Sequence, residues 1–473
     1  MIIWGVSEGF HDASLSVIED GKILFAGHSE RYSKIKNDPL VHEDLFAEAK
    51  TFGNPDKIAY YEKPWKKKLR LSLFGGIKDT PSKIIYPEKF HTFDHHYSHA
   101  AAGYYTSSFN DAAIVVLDAI GEFTTASVWT GEGEVISPAY KMSYPLSFGL
   151  FYSAFTELIG LKPNQEEYIM MGMAAYGNAS KYFDKVNAYF PSIKKQSMNF
   201  HRGISNWDRQ KAKEDSFDIA AAVQIVFENR LIEFMTEVRR YTNKSNLVFM
   251  GGVALNCAAN TRLYNIFDKV WIMPNPGDAG SSLGAAAALY GKHLDWNSPY
   301  LGTEIPGEYP VDKIIERLLL NKVAPVASGR AEFGPRSLGN RSILADPRDP
   351  DIKEKVNLIK KRELFRPFAP VVLEEDSKEW FDLKEPSPYM QFAVRCKKPS
   401  EIPSVVHEDG TSRVQTVNES DHPGLYNLLK KWKHLTGIPV LLNTSLNIKG
   451  QPIINDRYDI ALWERTYNDT IIF

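Results

Sequence analysis

His95 and His99, in the stretch FDHHYSHAAAGYY, stand four residues apart. On a helix that spacing puts both imidazoles on one face, where they can reach a single metal ion, while His96 points elsewhere. Such pairs also occur as ordinary helix-surface or capping residues, so the reading needs more ligands. Asp118 and Asp278 supply them, each at the end of an apolar strand-like run, and Asp94 is placed to orient a ring from behind. A site of two histidines and two aspartates is borderline in softness and suits iron, zinc or manganese.

Two further loops have the composition of anion sites. SEGFHDAS carries His11 and Asp12 among small residues, and NPGDAGSSLG carries Gly277, Asp278 and Ser281 at a helix start. Backbone N–H groups at such turns favour phosphates, so a nucleotide is expected between these loops and GGVALN, with Gly251, Gly252 and Asn256. Neither a Walker A nor a GxGxxG pattern occurs, which argues against P-loop or Rossmann chemistry. Further on, ASGRAEFGPRSLGNRSILADPR sets Arg330, Arg336, Arg341 and Arg348 among glycines and serines, and IKKRELFRPFAP adds Lys360, Arg362 and Arg366. Arginines without adjacent acids are suited to fork onto phosphate or carboxylate oxygens. LLNTSLNIKGQP then offers Asn443, Thr444, Ser445 and Asn447 just after an apolar strand.

The elements that must position these residues follow from apolar periodicity. The chain opens on strand, loaded turn, strand, Asp20-Gly21 turn and strand, and the same grammar returns from Ala112, about 110 residues later, which suggests a duplicated fold. A long helix is expected from Phe217 to Tyr241. Strand NLVFMGG, helical LNCAANTRLYNIF, strand VWIMP and helical SSLGAAAALYG then alternate in the α/β manner, which places His11, Asp118, Gly251 and Asp278 at carboxyl ends of strands. A boundary is expected in the proline- and glycine-rich stretch from His293 to Pro310, giving units at 1–295 and 311–473 joined by a linker at 296–310. Strand candidates beyond it are PVASG, FAPVVL, YMQFAV and IPVLLNT.

Composition narrows the function classes. The 473 residues have 43% apolar and 12% aromatic content with a net charge of −2, which excludes a disordered or strongly basic chain. Two cysteines, Cys257 and Cys396, cannot form a disulfide framework or a four-cysteine zinc site. No apolar run approaches the ~20 residues of a membrane span, so a cytoplasmic protein without a membrane partner is expected. The basic run KPWKKKLR, Lys63 to Arg70, is expected as a solvated face.

These stretches, in this order, resemble the NodU-type O-carbamoyltransferase family. The likeness runs from HDAS and SERYSKIKND through DHHYSHAA, LDAIGE, EYIMMGMAAYG, GGVALNC and NPGDAGSSLGAA to EFGPRSLGNRSIL, RELFRPFAP, HEDGTSRVQTV and TGIPVLLNTSLNIKGQP. It implies an α/β protein with an N-terminal duplicated actin-like (ribonuclease-H-like) domain and a C-terminal YrdC-like domain. The C-terminal unit would turn carbamoyl phosphate and ATP, with Mg²⁺, into carbamoyl-adenylate. The N-terminal unit would pass the carbamoyl group to the hydroxyl of a small-molecule or nucleotide acceptor and release AMP. The resemblance also implies Fe²⁺ or another divalent metal on His95, His99, Asp118 and Asp278. His11, Asp12 and Lys36 are the expected catalytic set, and Arg330, Arg336, Arg341, Lys360, Arg362, Arg366, Asn443, Ser445 and Asn447 the expected carbamoyl phosphate and ATP site. The chain departs from the family at Ile169, where a lysine is usual. The competing readings are an actin-like small-molecule kinase and a non-catalytic nucleic-acid-binding partner using Lys63 to Arg70.

Overall fold

The computed structural model describes residues 1–74, 89–467 and 470–473. Its opening meander is β1 (Ile2–Ser7), β2 (Ser14–Glu19) and β3 (Lys22–His28), with Asp20 and Gly21 both at positive φ in the tight turn that joins β2 to β3. β1 is buried along almost its whole length because it lies mid-sheet, antiparallel to β2 on one side and parallel to β4 (Lys57–Tyr60) on the other. β5 (Phe90–Thr92) completes the order β3-β2-β1-β4-β5.

The second meander repeats the first. β6 (Asp111–Gly121), β7 (Thr124–Glu132) and β8 (Val135–Ser143) are antiparallel neighbours, and β9 (Asn246–Met250) and β10 (Lys269–Trp271) add to the other side of β6 in parallel. The order β10-β9-β6-β7-β8 mirrors the first sheet strand for strand, so the expected duplication is present.

Helices His95–Thr106 and Ser281–Tyr290 follow β5 and β10 and share one apolar core with both sheets. They cross at backbone contact: a Cβ on Gly284 would stand 1.9 Å from the Ser98 carbonyl oxygen, and one on Gly5 would stand 1.8 Å from that of Ser282. The run of alanines and glycines in SSLGAAAALYG is therefore a packing requirement, and it brings the start of one helix beside the start of the other. The long helix expected from Phe217 spans Ser216–Thr242, whereas LNCAANTRLYNIF forms three short turns rather than one helix.

The stretch expected as an irregular connection contains a strand, β11 (Tyr300–Ile305), hidden in sequence by the prolines and glycines around it. After helix Val311–Asn321 come β12 (Val323–Ala327), β13 (Gly329–Glu332), β14 (Arg341–Ala345) and β15 (Ala369–Leu373). β11 pairs with β13. A small ribbon of β16 (Ala393–Arg395) and β17 (Thr411–Arg413) precedes β18 (Gln415–Val417) and β19 (Val440–Ser445). The third sheet has the mixed order β12-β14-β19-β15-β18. One of its faces packs on helices Val311–Asn321 and Pro423–Thr436; the other joins the core of the second sheet without a break.

Candidate functional site

The four expected ligands converge. His95 and His99 lie on the first two turns of their helix, Asp118 on β6 and Asp278 in the turn that opens helix Ser281–Tyr290. The ladder between β6 and β7 breaks between Leu117 and Gly121, and that irregularity is where Asp118 leaves the sheet. His95 Nε2 is 3.2 Å from Asp118 Oδ2 and 3.4 Å from Asp278 Oδ1; His99 Nε2 is 3.2 Å from Asp278 Oδ1 and 3.5 Å from Asp118 Oδ2.

The two Nε2 atoms face each other at 3.1 Å, and at most one proton fits between them. Atoms bound about 2.1 Å from one ion stand roughly 3.0 Å apart at right angles and 3.4 Å apart at the tetrahedral angle, so this cluster has the edge lengths of a coordination shell. His99 Nδ1–H donates to the Pro276 carbonyl at 3.1 Å, which leaves Nε2 as the ligating atom. The Ala119 N–H fixes the outer oxygen of Asp118 at 2.8 Å. Burial opposes charge on all four groups, yet the imidazoles are held above the ordinary histidine range by the carboxylates, and the carboxylates well below theirs by the imidazoles. The residues present fit a divalent transition metal.

Asp94 does not orient a ring. Its carboxylate takes Lys66, from the neighbouring helix Pro64–Phe74, and lies 3.5 Å from Lys63, the residue just before that helix.

His11 and Asp12 stand at the edge of this centre. His11 Nδ1–H donates to Asp12 Oδ2 at 2.9 Å, and its Nε2 is 3.7 Å from Asp278 Oδ2. Asp12, at φ +56°, is held in turn by Asn37 Nδ2 at 2.6 Å. Burial would lower the His11 imidazole, but the bond to Asp12 and the charges of Asp278 and Asp12 raise it to about 9. Lys36 is not part of this pair; its ammonium lies 5.7 Å over the Tyr168 ring, which Arg366 also covers at 5.0 Å.

Of the residues expected to form a nucleotide loop, Gly252 faces the His/Asp quartet, where an added Cβ would be 3.2 Å from Asp118 Oδ1, and Gly277 faces open space. The Ser281 hydroxyl is buried without a partner. Gly251 abuts the Leu117 carbonyl, and Asn256 is consumed by reciprocal bonds with Gln224 at 3.0 and 3.1 Å.

The C-terminal basic residues divide in two. Arg341 is fully buried and donates to the carbonyls of Ser328, Asn340, Gly329, Asn455 and Thr303; Arg330 donates to those of Leu24, Leu301 and Gly302. Both are stitches between segments rather than parts of an open anion site, and Arg348 pairs with Asp346. Lys360 does meet Ser445 and Asn447, as expected, but it spends its ammonium on their oxygens. Asn443 bonds Gln415 and the Ser337 carbonyl within the sheet.

Arg336, Arg362 and Arg366 gather around Tyr168 and Cys257 together with Arg413, a residue sequence reasoning left unassigned although it stands in HEDGTSRVQTV. Burial first, then mutual repulsion, lowers Arg336 to about 9 and depresses Arg362 and Arg413. Arg413 Nε is buried without a partner, and the nearest acid, Glu363, is 3.7 Å from Arg366. Guanidinium groups packed together with so little counter-charge are suited to hold an anion. A cavity of about 20 Å³ between Ala254, Pro276, Arg336 and Tyr389 lies between this cluster and the metal loop.

Residues 56–287 match the family model described as carbamoyltransferase N-terminus, and residues 315–472 match carbamoyltransferase C-terminus. An uncharacterized protein of Synechocystis sp. is 31% identical over 96% of this chain and 92% of its own. Nodulation protein NolO of Bradyrhizobium diazoefficiens is 31% identical over 77% of this chain and 75% of its own. The 3'-hydroxymethylcephem-O-carbamoyltransferase of Amycolatopsis lactamdurans is 29% identical over 98% of this chain and 96% of its own.

Proposed function

The chain belongs to the carbamoyltransferase family, and from that premise we propose a two-site O-carbamoyltransferase that works through carbamoyl-adenylate. The observation that carries this reading is the pairing of a buried His/Asp quartet, flanked by His11 and Asp12, with a carboxylate-poor arginine cluster. Residues 1–295 are the transfer unit. Residues 311–473 are the adenylate-forming unit, for which the YrdC-like plan is our reading of the third sheet.

In the first step water cleaves carbamoyl phosphate to carbamate and inorganic phosphate, and a carbamate oxygen then attacks the α-phosphorus of ATP, forming carbamoyl-adenylate as pyrophosphate leaves. Arg336, Arg362, Arg366 and Arg413 hold the anionic reactants and offset the charge that accumulates on the phosphoryl oxygens. Carbamate is a poor electrophile, and joining it to AMP supplies a good leaving group. In the second step the acceptor oxygen forms a bond to the carbamoyl carbon as the bond to AMP breaks. His11 Nε2 takes the acceptor's proton, while Asp12 keeps the other ring nitrogen protonated and the ring in place. A divalent ion, Fe²⁺ or a similar metal, on His95, His99, Asp118 and Asp278 would polarise the carbamoyl carbonyl and, by offsetting the aspartates, return His11 to the range where it accepts a proton near neutral pH. The named relative supports a hydroxymethyl group as the acceptor.

The test is incubation with ATP, labelled carbamoyl phosphate and a panel of alcohols. Acceptor-dependent AMP release with the mass gain of one carbamoyl group is expected. Carbamoylation that proceeds without ATP would refute the adenylate route.

A further inference from the structure

His11 rides on a short excursion of the chain whose two ends are pinned to one segment. The Gly9 N–H donates to the Pro39 carbonyl at 2.7 Å and the Ala13 N–H to the Asp38 carbonyl at 2.8 Å, so residues 10–12 loop out between two backbone bonds to the residues just after Asn37. Asp12 ends the excursion at φ +56°. Its partner Asn37 stands at φ +57°, in a turn closed by the Asp38 N–H on the Ile35 carbonyl at 3.2 Å. Two bonded non-glycine residues, both in the left-handed region, store strain that persists only where the surroundings hold it. Their side chains form one chain of hydrogen bonds: Asn37 Nδ2 donates to Asp12 Oδ1 at 2.6 Å, and His11 Nδ1 donates to Asp12 Oδ2 at 2.9 Å.

The first of these bonds fixes which way Asn37 points. A carboxylate only accepts, so the amide nitrogen faces Asp12, and Asn37 Oδ1 is left at the other end, buried without a partner. The side chain thus forgoes one hydrogen bond to make the other. Its backbone is fastened separately, by the Asn37 N–H on Glu30 Oε2 at 2.9 Å. Cations stand close by in the chain, yet Lys34 goes to Asp459 and the Arg31 carbonyl, and Lys36 lies over the Tyr168 ring. That choice of partner matters to His11. A cation on Oδ1 would offset the carboxylate charge that holds the Nδ1 proton, whereas a neutral amide orients the carboxylate and leaves its charge in place.

We propose that Asn37 is a positioning residue for the transfer step: its side-chain amide locks Asp12, and through Asp12 the His11 ring, in the orientation that presents Nε2 to the acceptor hydroxyl. The proposal rests on the reading of His11 as the group that takes the acceptor's proton. Asn37 acts through Asp12 and His11 rather than on the substrate, and a small misplacement of the reacting group costs a large factor in rate.

The experiment compares Asn37→Gly with Asn37→Asp in the zinc-loaded full chain. Glycine adopts a φ near +57° without strain, so Asn37→Gly keeps the turn and removes only the amide. Aspartate keeps the shape, removes the donor and sets a second carboxylate against Asp12. In protein labelled with 15N-histidine, the His11 ring N–H is assigned as the signal lost in His11→Asn. Its bond to Asp12 should protect it in the wild type, and it should exchange with solvent about tenfold faster or more in both variants. With the alcohol of the panel that the wild type carbamoylates fastest, kcat for acceptor-dependent AMP release should fall about tenfold in Asn37→Gly and further in Asn37→Asp. The acceptor KM and adenylate formation should not change. In the His11→Asn background Asn37→Gly should cost nothing more, because the two residues act as a unit. Wild-type exchange and kcat in Asn37→Gly would overturn the proposal and leave Asn37 a former of its turn. An undiminished tenfold loss with His11 already replaced would overturn it too. If no alcohol yields AMP with the wild type, the transfer reading fails by itself, and the ring N–H still decides whether Asn37 fixes the pair.

Discussion

Gly121 ends β6 against the edge of the His95 ring, and one methyl group there tests the metal centre without touching a ligand. An added Cβ would lie 2.1 Å from His95 Cδ2, 2.6 Å from Cγ and 2.8 Å from Nε2. Carbon atoms rest about 3.5 Å apart, so the ring must retreat by roughly 1.4 Å or β6 must give way. A ligand bond of about 2.1 Å tolerates only a few tenths of an ångström, so Gly121→Ala should remove His95 from the shell. Loss of a ligand should cost at least the roughly hundredfold that the loss of an orienting partner can cost. The measurement is metal affinity by competition with a chelating dye, alongside thermal unfolding to confirm the fold. Gly277→Ala is the control, since it lies next to Asp278 but its Cβ meets nothing within 4 Å. Wild-type affinity in folded Gly121→Ala would refute the assignment of His95 as a ligand.

Further changes separate the other roles. His11→Asn should keep metal and adenylate formation but slow transfer by roughly a hundredfold; acceptor-dependent AMP release at the wild-type rate would remove His11 from the chemistry. Arg336→Ala should stop adenylate formation with little change in melting temperature, whereas Arg341→Ala, which strands five carbonyl contacts, should cost roughly 4 kcal/mol or more of stability. Denaturant melts of the two proteins check the contrast, and equal losses would contradict it. His28 is buried and lies near Arg31, and burial first and then that charge push it down to about 3. The unfolded chain takes up its proton below about 6.5 and the native one does not, so stability falls as pH drops from 6.5 toward 3. His28 alone should account for about 2 kcal/mol by pH 5, and His28→Gln should flatten the profile of unfolding free energy over that window.

The convergence of His95, His99, Asp118 and Asp278 was legible because each residue carries a local signature: helical spacing for His95 and His99, a strand end for Asp118, a helix-opening turn for Asp278. The meanders were legible for the same reason, and β3 covers the seven residues that alternation and the Asp-Gly turn predict. β11 was not, since a strand made by pairing with β13 across about thirty residues needs no periodicity of its own. The basic residues show where local reading ends. Arg341 and Arg336 sit five apart in one glycine- and serine-rich stretch and are indistinguishable by composition, yet one is surrounded by carbonyls from Thr303, Ser328 and Asn455 and the other by arginines. Lys63 to Arg70 reads as a solvated face because two of its acidic partners, Asp94 and Glu122, are brought to it only by folding. A cation whose charge and donors are satisfied inside the fold contributes to stability; one packed among other cations retains an unmet demand for an anion. That demand depends on tertiary neighbours, and it is what separates Arg336, Arg362, Arg366 and Arg413 from the equally basic residues beside them.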